Sequence, residues 1–265
     1  MHCDRTRSFL RNLLLAAAVA TAAGATGAVA ADAGPVIPLP SADQKQLDAL
    51  LGKGVVGDAV PSKPIVAPEL HLPPKGVTLT YRVVDEKGKT TTEQHKVSEA
   101  DASQSAHGWQ YTIGSHGMVI IEKAADGSLA IVAEYDHEQD VISRFTPGEP
   151  LLIAGMKPGE SRHVSMKVEV ADIDDPTDIE HRGTLDVTQT YVGTYQVKVP
   201  AGSFEAPLMK WTYAGEIGPA SVETTQYRFI LEKAGMLAMI ERRNISALLI
   251  YHDKSRHGKL LEKAQ

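Results

Sequence analysis

Histidines and carboxylates are the side chains of this chain whose types and spacing could do chemistry. There are ten histidines. His116 sits in "GSHGM" beside Ser115, which invites an acyl-transfer reading. A nucleophile elbow needs G-x-S-x-G on a strand–turn–helix, with the serine in the middle, and here the serine is misplaced and a turn surrounds it. "EYDHEQD" gathers Glu134, Asp136, His137, Glu138 and Asp140. Metal ligands must converge. On a strand, Glu134, Asp136 and Glu138 share one face and His137 takes the other, so the stretch reads as a solvated acidic edge that discourages sheet-to-sheet pairing. "DIDDPTDIEHRG" (172–183) resembles a calcium loop in composition only. The sixth and twelfth positions should be Gly and Glu but are Thr177 and Gly183. Asp172, Asp174, Asp175 and Asp178 therefore read as a flexible acidic turn, with an irregular cation site as the alternative. No phosphate loop, dinucleotide fingerprint or H-E-x-x-H is present. The expectation is no catalytic residue, no metal and no cofactor.

The ends of the chain set its compartment. Residues 1–30 carry Arg5, Arg7 and Arg11, then an apolar run from Leu13 to about Ala23, then Ala28-Val29-Ala30. That is the pattern of a secretory signal peptide cleaved near Ala30. The apolar run is shorter than the ~20 residues a spanning helix needs. The single cysteine, Cys3, precedes that run, so the mature chain is expected to lack both disulfide and lipid anchor. About 235 residues then remain, enough for one large domain stabilised by burial alone. The whole chain has 27 basic and 33 acidic residues. Loss of three arginines and one aspartate with the leader leaves 24 against 32, a net charge of −8. That balance argues against nucleic acid and anionic membrane surfaces as partners. A bacterial periplasm is the expected location.

Elements come next. Eight of the fifteen prolines fall between Pro35 and Pro74. Proline removes a ladder donor, so residues 31–75 read as an extended leader rather than sheet. Inside it, "SADQKQLDALLG" predicts a short helix over 42–51. Ser41 is its N-cap, Gln44 completes a capping box, and Gly52 ends it. Leu47, Leu50 and Leu51 form one apolar face, which must cover either the sheet or the mouth of a cavity. From Gly76 to Tyr251 the period is two. "GVTLTYRVVD", "WQYTI" and "SRHVSMKVEV" alternate apolar and polar, and "ADG" and "KPGE" mark turns. The spacing predicts ten or eleven strands in an all-β domain over 76–251. They would form a single antiparallel sheet, strongly curved or closed: a half-barrel or a barrel. The last residues, 252–265, read as a polar basic tail carrying Lys254, Arg256, Lys259 and Lys263.

The stretch "VKVPAGSFEAPLMKW" (197–211) is a sharply punctuated hairpin. Pro200 ends one strand and Gly202 supplies the freedom of a tight turn. Phe204 re-enters the core, and Pro207 marks an edge or bulge. This stretch resembles a V-x-V-P-A-G-[ST]-F-E/D motif of uncharacterised periplasmic proteins of Gram-negative bacteria. Those proteins look like relatives of the lipoprotein-carrier (LolA/LolB-like) half-barrel. "KPGES" (157–161) and "KAGMLAMIERR" (233–243) are similar to the same group, and the resemblance spans about residues 140–245. "LEKAG" stands where that group has an aromatic-Pro element. The resemblance implies a fold and a compartment and no catalytic residues.

Three functional readings follow. The first is a non-enzymatic periplasmic protein that binds or carries a hydrophobic ligand, a lipid or acyl chain, on the concave face of the curved sheet. Its lining candidates are Trp109, Tyr111, Met166, Met209, Trp211 and Tyr213, with Leu47, Leu50 and Leu51 as a lid. The second is an envelope interaction module with a filled interior and a protein partner. The third is a hydrolase assembled by folding around His107 or His116.

Overall fold

The computed structural model describes residues 34–247 and 251–265. The signal-peptide expectation lies outside the described residues. Helix α1 spans Ser41–Leu51, and a 3₁₀ turn covers Pro68–His71. The strands are β1 Val56–Val60, β2 Thr78–Asp85, β3 Thr90–Glu99, β4 Trp109–Ile113, β5 Gly117–Lys123 and β6 Leu129–Asp136. They continue as β7 Val141–Leu152, β8 Ser161–Asp172, β9 Ile179–Val199, β10 Gly202–Ile217, β11 Ala220–Leu231, β12 Gly235–Ala247 and β13 Tyr251–Ala264.

From β2 onward each strand pairs antiparallel with the next, and β13 returns to pair with β2. The result is a closed up-and-down barrel of twelve strands, with β1 laid against the end of β9. Closure removes every edge along β2 to β13, which an open sheet of this width would leave exposed. Two boundaries of the sequence reading are corrected. The segment read as a basic tail is β13, the closing strand. Lys254, Arg256 and Lys263 are exposed on its outer side, while Leu260 and Leu261 are buried. The proline-rich leader also contains a strand, because Pro61 and Pro64 fall just after β1 and leave its ladder donors intact.

Alternation assigns the two faces. Met209, Trp211 and Tyr213 on β10 lie opposite Tyr191, Gln189 and Val187 on β9, and all point inward. Inward side chains meet partners several strands away. Tyr213 donates to Glu149 Oε1 on β7 at 2.7 Å, and Trp211 Nε1–H donates to the Pro150 carbonyl at 2.8 Å. Lys210 and Tyr227 occupy the alternate positions and point outward to α1. Both donate to Asp43 Oδ1, at 3.0 and 2.6 Å. So α1 packs on the outside of the barrel, over β12 and β13. Gly258 permits the approach, since a Cβ there would stand 2.9 Å from the Leu50 carbonyl. The capping box does not form. Pro40 holds the N-cap position, its carbonyl accepts the Gln44 N–H, and no side chain caps the helix.

The rest of the leader plugs one end of the barrel. Ile65 N–H bonds the Met156 carbonyl at the β7–β8 turn, and Lys233 N–H at the β11–β12 turn bonds the Leu70 carbonyl. Lys123, at the end of β5, pairs with Glu69 at 2.8 Å. Ile65 and Leu72 pack into the inward-facing apolar cluster. The outer positions of β8 to β11 carry His163, Lys167, Asp186, Glu216 and Glu223, all exposed. A lipid-embedded barrel carries an apolar band there instead. No helix among the described residues is long and apolar enough to cross a membrane.

Candidate functional site

The interior divides in two. Towards the plug it is a packed core. Met166, Val168, Leu185, Val187, Tyr191, Met209 and Trp211 are all buried around Ile65, Ile121, Leu129 and Phe145. Towards the other end, beyond the Trp211 ring, the same inward face turns polar. Gln226 and Arg228 on β11, Glu241 and Arg243 on β12, His257 and Lys259 on β13, Glu93 and His95 on β3, Glu134 on β6 and Glu149 on β7 all point in. Arg228, Glu241, Arg243, His257 and Glu149 are only part-buried, and Glu134 is exposed although enclosed by the barrel wall. This half of the barrel is therefore wet rather than filled.

Trp211 is the floor between the halves. The Arg228 guanidinium lies over its ring at 4.9 Å, a cation–π contact that anchors the arginine. Arg228 also donates to Gln226 Oε1, and Gln226 Nε2 donates to Glu241 Oε2 at 2.6 Å. Register breaks in β7 between Arg144 and Glu149. The residues after the break lean across the interior, which is how Glu149, Pro150 and Leu151 reach Tyr213, Trp211 and Gln189. On the wall from β8 to β11, Val170, Ile217 and Val222 are half-buried beside Tyr213. The wet chamber thus has an apolar wall and a charged one.

Its carboxylates are held in opposite states. Burial, with the nearby Glu149 and Glu241, pushes the Glu134 carboxyl up to about 7. Burial also raises Glu149, partly offset by the Tyr213 hydroxyl and the Arg228 charge. Glu93 is the reverse. Burial opposes its ionisation, but the His95 hydrogen bond and the Lys259 ammonium outweigh it and bring the carboxyl down to about 2. His95 is kept neutral by burial and by the Lys259 charge. Its Nε2–H donates to Glu93, so Nδ1 accepts the Tyr111 hydroxyl proton at 2.7 Å. His116 reaches Glu93 Oε2 at 3.5 Å from the β4–β5 turn. A Tyr–His–Glu chain has the order of a nucleophilic triad, but burial pushes the Tyr111 phenol up, which disfavours the phenolate that attack would need.

The expected lining residues are placed as follows. Trp109, Tyr111, Met166, Met209, Trp211 and Tyr213 all point inward. Met166, Met209 and Trp211 belong to the packed core, at most 1% exposed. Tyr213 and Tyr111 border the wet chamber, and half-buried Trp109 opens β4 at the plugged end. Leu47 and Leu51 are buried against the outside of the sheet, with Leu50 packed beside them, so they cover the barrel wall rather than a cavity mouth. Glu134 is corrected. It points inward, because a closed barrel has no acidic edge for it to occupy. His107 is exposed in the β3–β4 loop. In the acidic turn, Asp172 Oδ1 accepts the N–H groups of Asp174 and Asp175, and Asp175 Oδ1 accepts the N–H and the hydroxyl of Thr177. The charged lining from β11 to β13 was missed, although "QYRF" and "MIERR" place charges at alternating inward positions within apolar strands.

No family model matches the chain, and no curated protein matches it. Three solved structures are similar. One is from Bacteroides fragilis, provisionally described as an exported protein with a YmcC-like fold. It is 15% identical, covers 77% of this chain and 100% of its own, and has a TM-score of 0.46. A second, provisionally described as a lipoprotein, is from Parabacteroides distasonis. It is 12% identical over 77% of this chain and 99% of its own, with a TM-score of 0.36. The third is the hypothetical lipoprotein YmcC from Escherichia coli, 9% identical over 74% of this chain and 87% of its own, with a TM-score of 0.39. The lipoprotein-carrier group that the hairpin motif resembles is not named among them.

Proposed function

We propose that this chain is an exported, non-enzymatic binding protein that holds a small amphiphile in the wet half of its barrel. One observation carries the reading: ionisable side chains point into the barrel yet stay accessible to water, opposite an apolar wall. A chamber that only completed the fold would be filled, as the plugged half is. Val170, Ile217, Val222 and Tyr213 suit an apolar body, and the charged groups suit a head. The filled half excludes a long chain laid down the whole barrel, so the ligand is short or bound by its head end. Residues 1–30 supply the export signal. Catalysis is disfavoured because the Tyr111–His95–Glu93 chain ends on a phenol that resists ionisation. The interaction-module reading draws on Val66 and Leu70, 80% and 42% exposed on the outside of the plug.

Native mass spectrometry of the protein purified from periplasm without detergent tests this, followed by organic extraction. A discrete added mass that extracts as an amphiphile is the expected result. A clean apo mass, with no uptake of added twelve-carbon surfactants, would discard the binding reading and leave the interaction module.

A further inference from the structure

Building on the amphiphile reading, we propose that the ligand is an anionic amphiphile bound head-first, its oxyanion received by the Arg228 guanidinium on the floor of the wet chamber.

Three cationic side chains point into the wet half, and two of them are spent. Lys259 donates to Glu93. Arg243 has an interaction of its own and lowers the Glu134 carboxyl. Arg228 is the third. A guanidinium carries five N–H groups. Arg228 gives one of them, from Nη2, to Gln226 Oε1 and rests on the Trp211 ring. Its Nε is buried and has no hydrogen-bond partner. Unsatisfied polar groups inside a protein are uncommon and call for an explanation. The residue as a whole is part-buried, so it stays accessible from the chamber.

The neighbouring acceptors do not use Arg228 up. It acts through space on Tyr111 of β4, Glu149 of β7 and Tyr213 of β10, so its charge lies central to these strands. Glu149 accepts from the Tyr213 hydroxyl instead, and burial raises it towards the neutral acid. Glu241 accepts from the Gln226 amide. Gln226 is thus held by Glu241 and in turn holds Arg228, a relay that orients the guanidinium along with the Trp211 ring. An oriented guanidinium binds an oxyanion by paired charge-assisted hydrogen bonds, and a chamber of reduced dielectric strengthens them. An amine head in the same place is repelled.

The lining sets the direction of the tail. Val222 lies on the inward face of β11 with Arg228, and Ile217 on that of β10 with Trp211, both towards the end away from the plug. The opposite direction is closed by the packed core. A tail leaving Arg228 therefore runs past Tyr213 to the half-buried Val222 and Ile217.

Isothermal titration of the mature protein at pH 7 tests this with four twelve-carbon probes below their micellar concentrations: dodecanoate, dodecyl phosphate, dodecylamine and dodecyl maltoside. At least one anion is expected to bind about tenfold or more tighter than the amine and the maltoside. The tighter anion assigns the head as carboxylate or phosphate. Arg228→Gln should lower that anion to the level of the maltoside. Arg228→Lys, which keeps the charge and loses the fork, should fall between. Orientation is read in Trp109→Phe protein, where Trp211 is the sole tryptophan. Dodecanoate brominated at carbon 2 should quench its fluorescence more than dodecanoate brominated at carbon 12. Equal affinities for all four probes, or tightest binding of the amine, would overturn the oxyanion assignment and keep the amphiphile reading. An anion affinity unchanged in Arg228→Gln would remove Arg228 from the site, and stronger quenching from carbon 12 would overturn the head-first orientation. No binding of any probe would overturn both the assignment and the amphiphile reading.

Discussion

Glu93 and Glu134 are carboxylates on the inward face of one barrel, and burial acts on both in the same direction. Company separates them. Glu93 has the His95 imidazole and the Lys259 ammonium as direct partners and is held down to about 2, whereas Glu134 has neither and rises to about 7. Glu93 therefore stabilises the fold whenever it is ionised. Its folded value lies below the ordinary 4.5, so its contribution is present above pH 4.5 and is lost as pH falls towards 2. Glu93→Gln leaves Lys259 as a buried charge without its carboxylate, at a cost of about 3 kcal/mol at pH 7. Urea unfolding checks this at pH 7 and again near pH 2.5. The gap between variant and parent should narrow at the lower pH. A gap of the same size at both would mean that Glu93 acts through packing rather than charge.

Strand β13 shows how an element can be hidden in a polar sequence. "DKSRHGKLLEKA" places most of its charges outward, where a strand needs no apolar residue, and one of its inward positions is Lys259, paired with Glu93. No alternation of apolar residues remains to be read, and the chain there looks like a solvated tail. The strand is nonetheless the closing piece, bonded to β12 along one side and β2 along the other. A chain ending at residue 250 should expose the edges of β2 and β12 and uncover the apolar groups beneath Leu260 and Leu261. Thermal melts followed by circular dichroism, with light scattering, decide the matter. The truncated protein is expected to lose its cooperative transition and to aggregate. A melt within a few degrees of the parent would mean that the barrel holds without its seam. Helix α1 depends on the same strand, since it approaches the barrel over Gly258. Its signal should disappear together with the sheet.

At the scale of the whole molecule, what was legible follows the division of the interior. Where the lumen is packed, apolar residues recur at period two, so the inward positions of Met166, Met209, Trp211 and Tyr213 and the curved antiparallel sheet are read directly from the chain. Where the lumen is wet, inward positions are ionisable, and alternation assigns Glu134 to the solvent side although it faces inside. Strand order was the other missing piece, because nothing local in β6 and β12 shows that they face each other. The same division governs how the molecule responds to pH. Glu134 and Glu149 titrate higher in the fold than their ordinary 4.5. Folding holds their protons more tightly than the unfolded chain does, so they withdraw stability as pH rises from about 4.5 to 7. Buried His71 and His95 and part-buried His257 titrate below their ordinary 6.5. They resist charging in the fold, so they withdraw stability as pH falls below 6.5. Between about pH 5 and 6.5 the two sets oppose each other, and the parent protein is expected to hold a nearly constant melting temperature there. Glu134→Gln removes one of the two carboxyls from that balance and leaves Glu149. Its melting temperature should match the parent's near pH 5, rise with pH as the histidines lose their protons, and stand above the parent's at pH 8. Melting temperatures of both proteins at half-unit steps from pH 5 to 8 decide it. Two parallel curves would mean that Glu134 does not sense the enclosed chamber, and that its charge is solvated as it would be on an outer surface.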